Sequence, residues 1–196
     1  NKNIKKIFEK SVCEYPIIAA KKSKKINKIF VSTDCDNIKK ITKKYDVQYI
    51  PRPKKLNTDK ALGDHVFLHC VKFLKKKYGK IKFFVLLMAN SPTLNSKILD
   101  QAIKKLERNK KADSIVSVSK YNMWSPIRAR KINDSGFLDP FIKFEKMFSK
   151  NLKNINCDRD SQGNVYYADM SLSVVRPKCL ENLKAGLLPQ KWMGKK

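Results

Sequence analysis

The sequence predicts an α/β domain in which a mostly parallel sheet is flanked by helices. Helical and extended patterns alternate along the chain, as strand–helix–strand units require. The segment Lys82-Phe-Phe-Val-Leu-Leu-Met88 is continuously apolar after its lysine, the pattern of a central parallel strand buried on both faces. The 196 residues, 42% of them hydrophobic, are enough for one domain with a substantial core.

The elements follow in order. Ser11 and Glu14 form an S-x-x-E capping-box pattern that opens a helix running to Lys25, with Pro16 early in it and expected to remove one backbone hydrogen bond. Lys28 to Asp34 is a short apolar run ending in a polar loop, hence a strand. Asn37 to Tyr45 reads as a helix with Ile38 and Ile41 on one face. Val47 to Ile50 is a second strand, stopped by Pro51 and Pro53. A helix from about Leu62 to Tyr78 carries Val66, Phe67, His69, Cys70, Phe73 and Leu74 on its apolar side.

The apolar strand ending at Met88 breaks at Ala89-Asn-Ser-Pro92, and a helix from about Ser96 to Asn109 follows. Ser114 to Ser119 is another strand. Tyr121 to Asn164 has little periodicity, Asn164 to Val175 is extended again, and Lys178 to Leu183 is a short helix. There is no internal repeat and no low-complexity linker, so one domain is expected, with an insertion over about residues 120–165.

Composition narrows the function classes. The formal net charge is +27, yet only six of the 44 basic residues are arginine. Readers of nucleic acid rely on the bidentate guanidinium, and the lysines here are spread over predicted polar helix faces, as at Lys39, Lys40, Lys43 and Lys44. A solvated surface is the reading, not a nucleic-acid partner, although such a surface attracts anionic substrates. No apolar run reaches membrane-spanning length and no signal peptide is recognisable, so neither a membrane nor export is expected. The five cysteines are scattered without a C-x-x-C pair, which fits a reducing cytoplasm. His65 and His69 stand four apart on a helix, but Val66-Phe-Leu68 between them holds no acid, and packing or surface exposure is expected of them.

Open α/β sheets bind ligands at the carboxyl ends of their strands, which directs attention to the loops after Val31, Ile50, Met88 and Val118. In and around those loops stand Asn1-Lys2-Asn3-Ile4 with Lys10, Tyr15, Ile17 and Ala19-Ala20, then Val31-Ser-Thr-Asp34, Arg52-Pro53 with Leu56, Asp59 and Ala61, Leu86-Leu87 through Ser91-Pro92, and Gln162-Gly-Asn-Val-Tyr166. On these residues the chain resembles the acylneuraminate cytidylyltransferase family. The first group is similar to that family's start and the second to its second strand. The group at Arg52 matches its R-P-x-x-L-x-x-D-x-A stretch, the group at Leu86 matches L-L-x-x-x-S-P, and the group at Gln162 resembles its N-G-x-x-Y strand.

The resemblance implies a Rossmann-like nucleotidyltransferase fold and a homodimer that transfers CMP from CTP to an acidic sugar with Mg²⁺ as cofactor. It implies that Arg52 reads the cytosine edge, with the Ala61 backbone accepting from the exocyclic amine and Leu86 beside the nucleotide. It also implies that Lys2 and Asn3 contact the phosphates, where a lysine neutralises charge on the leaving pyrophosphate. Met88, Asn90, Ser91 and Tyr166 would face the sugar, and Arg128, Arg130 and Arg159 are candidates for its carboxylate. From the residues alone, Arg52 between two prolines reads as an ordinary exposed loop residue, and the three arginines are equally surface residues. Asp34 is assigned no catalytic role, and Asp59 is read as organising its loop.

The pattern departs in three places. Met88 and Leu94 stand where the family loop L-L-Q-P-T-S-P-L-R has Gln and Arg, which favours an acidic sugar other than sialic acid. Gly63 replaces a common Ser. The glycine- and lysine-rich phosphate loop is expected before Asn1, and the Asp-x-Asp pair that holds the metal beyond Lys196, so the chain reads as incomplete at both ends, and residues 1–196 by themselves are expected to be inactive. A same-fold enzyme for another acidic sugar or a phosphonate, an inactive homologue acting as a binding module, and a basic nucleic-acid-binding domain are the alternatives.

Overall fold

A computed structural model describes residues 2–58, 60–144 and 156–196. The expectations for Asn1 and Asp59 lie outside the described residues. The chain divides into two compact units, Asn1–Ser117 with Met170–Lys196, and Val118–Asp169.

The first unit opens with a 3₁₀ turn, Lys2–Ile4, and a hairpin of β1 (Lys6–Ile7) and β2 (Lys10–Ser11). Helix α1 covers Glu14–Lys21. Half of the expected capping box forms: Glu14 Oε1 accepts from the Ser11 N–H at 2.8 Å, while Cys13 occupies the N-cap. Pro16 falls in the first turn, where an N–H has no intrahelical acceptor, so it removes no bond there. The helix stops before Lys25 because the Ser23 hydroxyl accepts from the N–H groups of Lys25 and Ile26 and donates to Asp100, giving the backbone an alternative to another turn.

Strand β3 (Phe30–Thr33), helix α2 (Asp36–Lys44) and strand β4 (Gln48–Pro51) form a compact strand–helix–strand unit, with β3 and β4 parallel and Ser32 opposite Ile50. Helix α3 spans Gly63–Tyr78, strand β5 Phe84–Leu87 and helix α4 Ser96–Arg108. The Asn95 side chain caps α4 by accepting from the Ile98 N–H at 3.1 Å. Strand β6 is Ser114–Lys120.

The α/β class holds, but β5 does not pair in parallel. It lies antiparallel to a strand far along the chain, Tyr166–Val175, in a three-stranded sheet whose third member is β6. The apolar run reports that both faces are covered, and they are. Val85 and Leu87 pack on a core of Ala19, Ala20, Leu94, Leu99, Ala102, Ile103 and Leu106. Phe84 and Leu86 face a second core of Ile50, Val71, Leu74, Leu180 and Trp192. Strand direction has no such signature in a single segment.

Glu14 joins the helices of this unit. It is 4% exposed, and its Oε2 accepts from Lys44 Nζ and the Tyr45 hydroxyl at the end of α2. Burial raises its carboxyl, but the bonds from Lys44, Tyr45 and the Ser11 N–H outweigh burial and hold it at about 2.

The second unit is built from short pieces. Between the 3₁₀ turns Asn122–Trp124, Pro126–Arg128 and Arg159–Gln162 lies a hairpin of β7 (Arg130–Ile132) and β8 (Leu138–Pro140). Asn133 closes that hairpin by accepting from the N–H groups of Ser135 and Phe137. The Tyr121 and Trp124 rings stack with centroids 4.7 Å apart, and Tyr167 meets Trp124 edge-on. Strand β9 is Tyr166–Val175.

Candidate functional site

The parallel register of β3 and β4 puts Ser32 and Ile50 on one face, and Arg52, two residues on, continues that face at the carboxyl end of the pair. The Arg52 guanidinium lies against Ser32: Nη2 donates to the Ser32 main-chain oxygen at 2.7 Å and Nε to its hydroxyl at 3.3 Å. Cys70 of α3 adjoins the same pair. Burial, its largest influence, pushes the Cys70 thiol up, against the opposing pull of Ser32 and the Arg52 charge. The thiol therefore stays protonated near neutrality and does not form an ion pair with Arg52.

The loop beyond Arg52 is tightly turned. Leu56 N–H donates to Pro53, Asn57 N–H to Lys54, and Ala61 N–H to Thr58 at 3.0 Å. Ala61 is half-buried two residues before α3 begins. A Cβ at Gly63 meets Phe67 at an ordinary 3.9 Å, so the serine common in the resembling family has room here.

The turn after β5 places the next group. Leu86 pairs with Ser173 and faces the second core, so its side chain is a packing element of the sheet. Met88 N–H donates to Ser171, Ser91 N–H to Met88, and Leu94 N–H to Ser91. Ser91 is buried and Asn90 is exposed. Leu94 is 9% exposed and belongs to the first core.

Lys2 is exposed on the opening 3₁₀ turn. The Asn3 carbonyl accepts from the Cys13 N–H at 3.0 Å, and its side-chain Oδ1 is buried without a partner among the described residues. Among the described residues no hydrogen bond joins Lys2 or Asn3 to the loops at Arg52 or Met88.

Within the second unit the arginines have distinct surroundings. Arg128 donates to the Cys157 carbonyl at 2.8 Å and to Gln162 at 3.3 Å. Arg130 Nη1 donates to the carbonyls of Ile127 and Ala129, and its guanidinium lies over the Phe144 ring. Both bind the unit's own frame. Arg159 is exposed and lines a cavity of about 320 Å³ with Lys120, Tyr121, Asn122, Met123 and Asp160. Tyr166 is 58% exposed at the start of β9.

No three His, Cys, Asp or Glu side chains converge as metal ligands among the described residues. His69 Nδ1 is buried and unpartnered there, and His65 is exposed. All five cysteines are free thiols. Among the described residues no helix is long and apolar enough to cross a membrane.

Residues 1–135 match the family model described as cytidylyltransferase. The chain belongs to the cytidylyltransferase family. This cytidylyltransferase-family chain is 28% identical over 169 residues to the N-acylneuraminate cytidylyltransferase of Escherichia coli O18:K1:H7 (strain RS218 / NMEC), which covers 86% of the chain and 38% of that relative. It is 29% identical over 159 residues to the Helicobacter pylori (strain ATCC 700392 / 26695) pseudaminic acid cytidylyltransferase and UDP-2,4-diacetamido-2,4,6-trideoxy-beta-L-altropyranose hydrolase, covering 81% of the chain and 30% of that protein. It therefore spans well under half the length of these curated relatives.

Solved structures of similar fold include CMP:2-keto-3-deoxy-manno-octonic acid synthetase complexed with CTP. That structure has a TM-score of 0.62 at 11% identity over 97% of this chain and 73% of that one. The 4-diphosphocytidyl-2C-methyl-D-erythritol synthase of Anaerococcus prevotii DSM 20548 gives a TM-score of 0.55 at 16% identity, over 94% and 69% of the two chains.

Sequence reasoning left Ser32 without a role, although it holds Arg52. The signal was available: once the two runs are paired in parallel, residues of equal parity in Val31-Ser-Thr-Asp34 and Tyr49-Ile-Pro-Arg52 share a face. Asn122 was also missed. Its amide nitrogen donates to Asp160 at 2.9 Å and its oxygen accepts from the Val165 N–H, tying together one wall of the Arg159 cavity. No sequence signal in an irregular segment identifies such a residue.

Proposed function

We propose that the protein is a cytidylyltransferase that transfers CMP from CTP to an acidic sugar of the nonulosonic or acylneuraminate class, releasing pyrophosphate. The observation that carries this reading is Arg52, a guanidinium braced at the carboxyl end of a parallel strand pair in a chain of this family. Ligands of open α/β sheets bind at such ends. Cytosine presents O2 and N3 as adjacent acceptors, which a planar fork of donors matches; uracil has a donor at N3. The Ala61 backbone and Leu86 complete the nucleotide contacts in this reading.

In the reaction a sugar hydroxyl oxygen forms a bond to the α-phosphorus of CTP, the bond from that phosphorus to the bridging oxygen breaks, and the electron pair leaves with pyrophosphate. The hydroxyl proton passes to solvent or base. Lys2 and Asn3, at the start of the chain, contact the phosphates in this reading, and the Lys2 charge offsets the charge gathering on pyrophosphate. Mg²⁺ is part of the proposal for the whole protein. The described residues do not converge as its ligands, so no step is assigned to it here.

The sugar side is proposed to use Met88, Asn90, Ser91, Tyr166 and the arginines, chiefly Arg159, which lines a cavity with Asn122 and Asp160. Arg128 and Arg130 are engaged by backbone carbonyls and fit a framework role better. The buried Leu94 favours an acidic sugar other than N-acetylneuraminate, because no cation stands at that position. A homodimer in the cytoplasm completes the proposal; exposed Phe137, Leu138 and Ile132 of the second unit support self-association. The deciding experiment measures pyrophosphate release from CTP by the full chain with Mg²⁺ and a panel of acidic sugars. Release that requires both CTP and one such sugar supports the proposal, and release with UTP as readily as with CTP refutes it.

A further inference from the structure

Arginine offers two donor edges: a side edge made by Nε and one proton of Nη2, and an end fork made by Nη1 and the other Nη2 proton. In Arg52 the side edge is occupied. Nη2 donates to the Ser32 carbonyl at 2.7 Å and Nε to the Ser32 hydroxyl at 3.3 Å, so a single residue of β3 takes both bonds. Among the described residues Nη1 has no hydrogen-bond partner. A guanidinium gripped on one edge loses rotation about its long side chain, and its end fork acquires a fixed direction.

We infer that Ser32 is a positioning residue that sets nucleotide-base specificity by locking the side edge of Arg52 and presenting its end fork to the O2 and N3 of cytosine. This rests on the proposed reading of Arg52 as the base-contacting residue.

Three features of the surroundings agree. Ser32 sits on a strand, and its carbonyl is one residue from the end of the pairing, where Thr33 opposes Pro51. A proline at that position of β4 has no N–H, and the strand ends there. Cys70, on α3, adjoins the Ser32 hydroxyl and stays a neutral thiol, so no thiolate competes for the guanidinium. The Arg52 carbonyl also accepts from Asn57 Nδ2 at 3.5 Å, so the backbone that carries the guanidinium is tied to its own loop.

The arrangement explains discrimination as well as affinity. An end fork held in one plane meets two acceptors in cytosine but one acceptor and one N–H in uracil. A freely rotating guanidinium would turn away from the uracil N–H and lose only one bond. Locking the plane removes that escape, and the wrong base is then penalised.

The test uses the full chain with Ser32→Ala, Ser32→Thr and Arg52→Ala. Calorimetry gives CTP and UTP affinities, and NMR gives the solvent exchange of the Arg52 Nε proton without any nucleotide. Ser32→Ala keeps the carbonyl bond and removes the hydroxyl bond. The expected result is CTP affinity weakened about 3- to 10-fold, a smaller change for UTP and so a lower CTP/UTP ratio, together with faster Nε–H exchange. Ser32→Thr, which keeps the hydroxyl and suits a strand, should restore both. A Ser32→Ala protein whose CTP/UTP ratio is unchanged, while Arg52→Ala lowers that ratio, overturns the role of Ser32 and leaves the reading of Arg52 standing. An Arg52→Ala protein with an unchanged ratio overturns both. Wild-type Nε–H exchange as fast as that of an exposed arginine also overturns the role of Ser32, whatever the affinities show.

Discussion

The Tyr45 hydroxyl donates to Glu14 Oε2 at 2.6 Å, and Lys44 Nζ reaches the same oxygen at 2.8 Å. The first turn of α1 is thereby tied to the last turn of α2, and the Ser11 N–H fills the other carboxylate oxygen. Removing the carboxylate leaves a phenol and a main-chain N–H without their acceptor. Glu14→Ala should therefore destabilise the fold by about 2–4 kcal/mol, the lower part of the range applying because the Lys44 side chain is 61% exposed. Urea unfolding measures it, and a change below about 0.5 kcal/mol would show that the cluster is ornamental.

The same carboxyl makes stability depend on pH. Its folded value of about 2 lies below the roughly 4.3 of an unfolded glutamate. A lowered value means that the unfolded chain binds the proton first as pH falls. The stabilisation is complete above about pH 5 and is lost as pH drops toward 2. Asp100 and Asp113 are held low by hydrogen bonds, from Ser23 and from Lys178 respectively, and act in the same sense. Glu14→Gln cannot titrate, so the gap in unfolding free energy between it and the native protein should narrow from pH 7 to pH 3. A gap that stays constant would assign the low value to another group.

Much of this fold was readable because its elements are short-range objects. Helix α4 follows from Leu99, Ala102, Ile103 and Leu106 at helical spacing behind an Asn cap, and β3 with β4 from apolar runs closed by a polar loop and by prolines. What escaped depends on partners far away in sequence. The direction of β5 is fixed by residues some 85 positions later, and the end of α1 by Ser23 finding Asp100. The β7–β8 hairpin rests on one asparagine collecting backbone bonds, with little hydrophobic alternation to announce it. At the candidate site, Arg52 was legible as a motif residue. Its orientation was not, since that needed the parallel register.

The lysine excess has a checkable consequence. Lys25 and Lys82 share Glu107, Lys39 pairs with Asp36, and Lys28 and Lys77 lie near the Tyr78 ring, an arrangement of a dispersed and solvated surface. Affinity for duplex DNA at physiological salt should be no tighter than ordinary non-specific binding, about 10⁻⁴ to 10⁻⁶ M, and should fall steeply with added salt. A nanomolar, sequence-dependent complex in a gel shift would contradict the dispersed reading.

Arg52→Ala removes the end fork and leaves the Ser32 carbonyl to water at the rim of the sheet. CTP binding to the full chain should weaken by about 1–3 kcal/mol, the scale of hydrogen bonds to a charged group, with the preference over UTP largely gone. Because Arg52 also bridges β3 and β4, the melting temperature must be followed in parallel. Arg52→Lys separates the two roles, since it keeps the charge without the planar fork and should recover little of the base preference.

The last prediction concerns the turn at residues 88–94, where the chain departs from the family loop it resembles. Restoring that pattern means Met88→Gln and Leu94→Arg, and the two positions are not equivalent. Met88 is half-buried at the end of β5, with its N–H bonded to Ser171, so a glutamine of similar length fits and should change stability by less than about 1 kcal/mol. Leu94 is 9% exposed and packs with Leu99, Ile103 and Leu106, and the bonds from Ser91 N–H to Met88 and from Leu94 N–H to Ser91 turn its side chain inward. An arginine there buries a charge among apolar side chains, so Leu94→Arg should destabilise by roughly 3–5 kcal/mol. The double variant should therefore unfold earlier without acquiring N-acetylneuraminate as a substrate, as thermal melting and pyrophosphate release with that sugar would show together. If Leu94→Arg instead melts within a degree or two of the native protein and gains that activity, the turn is free to reverse and Leu94 is a specificity residue, not part of the core.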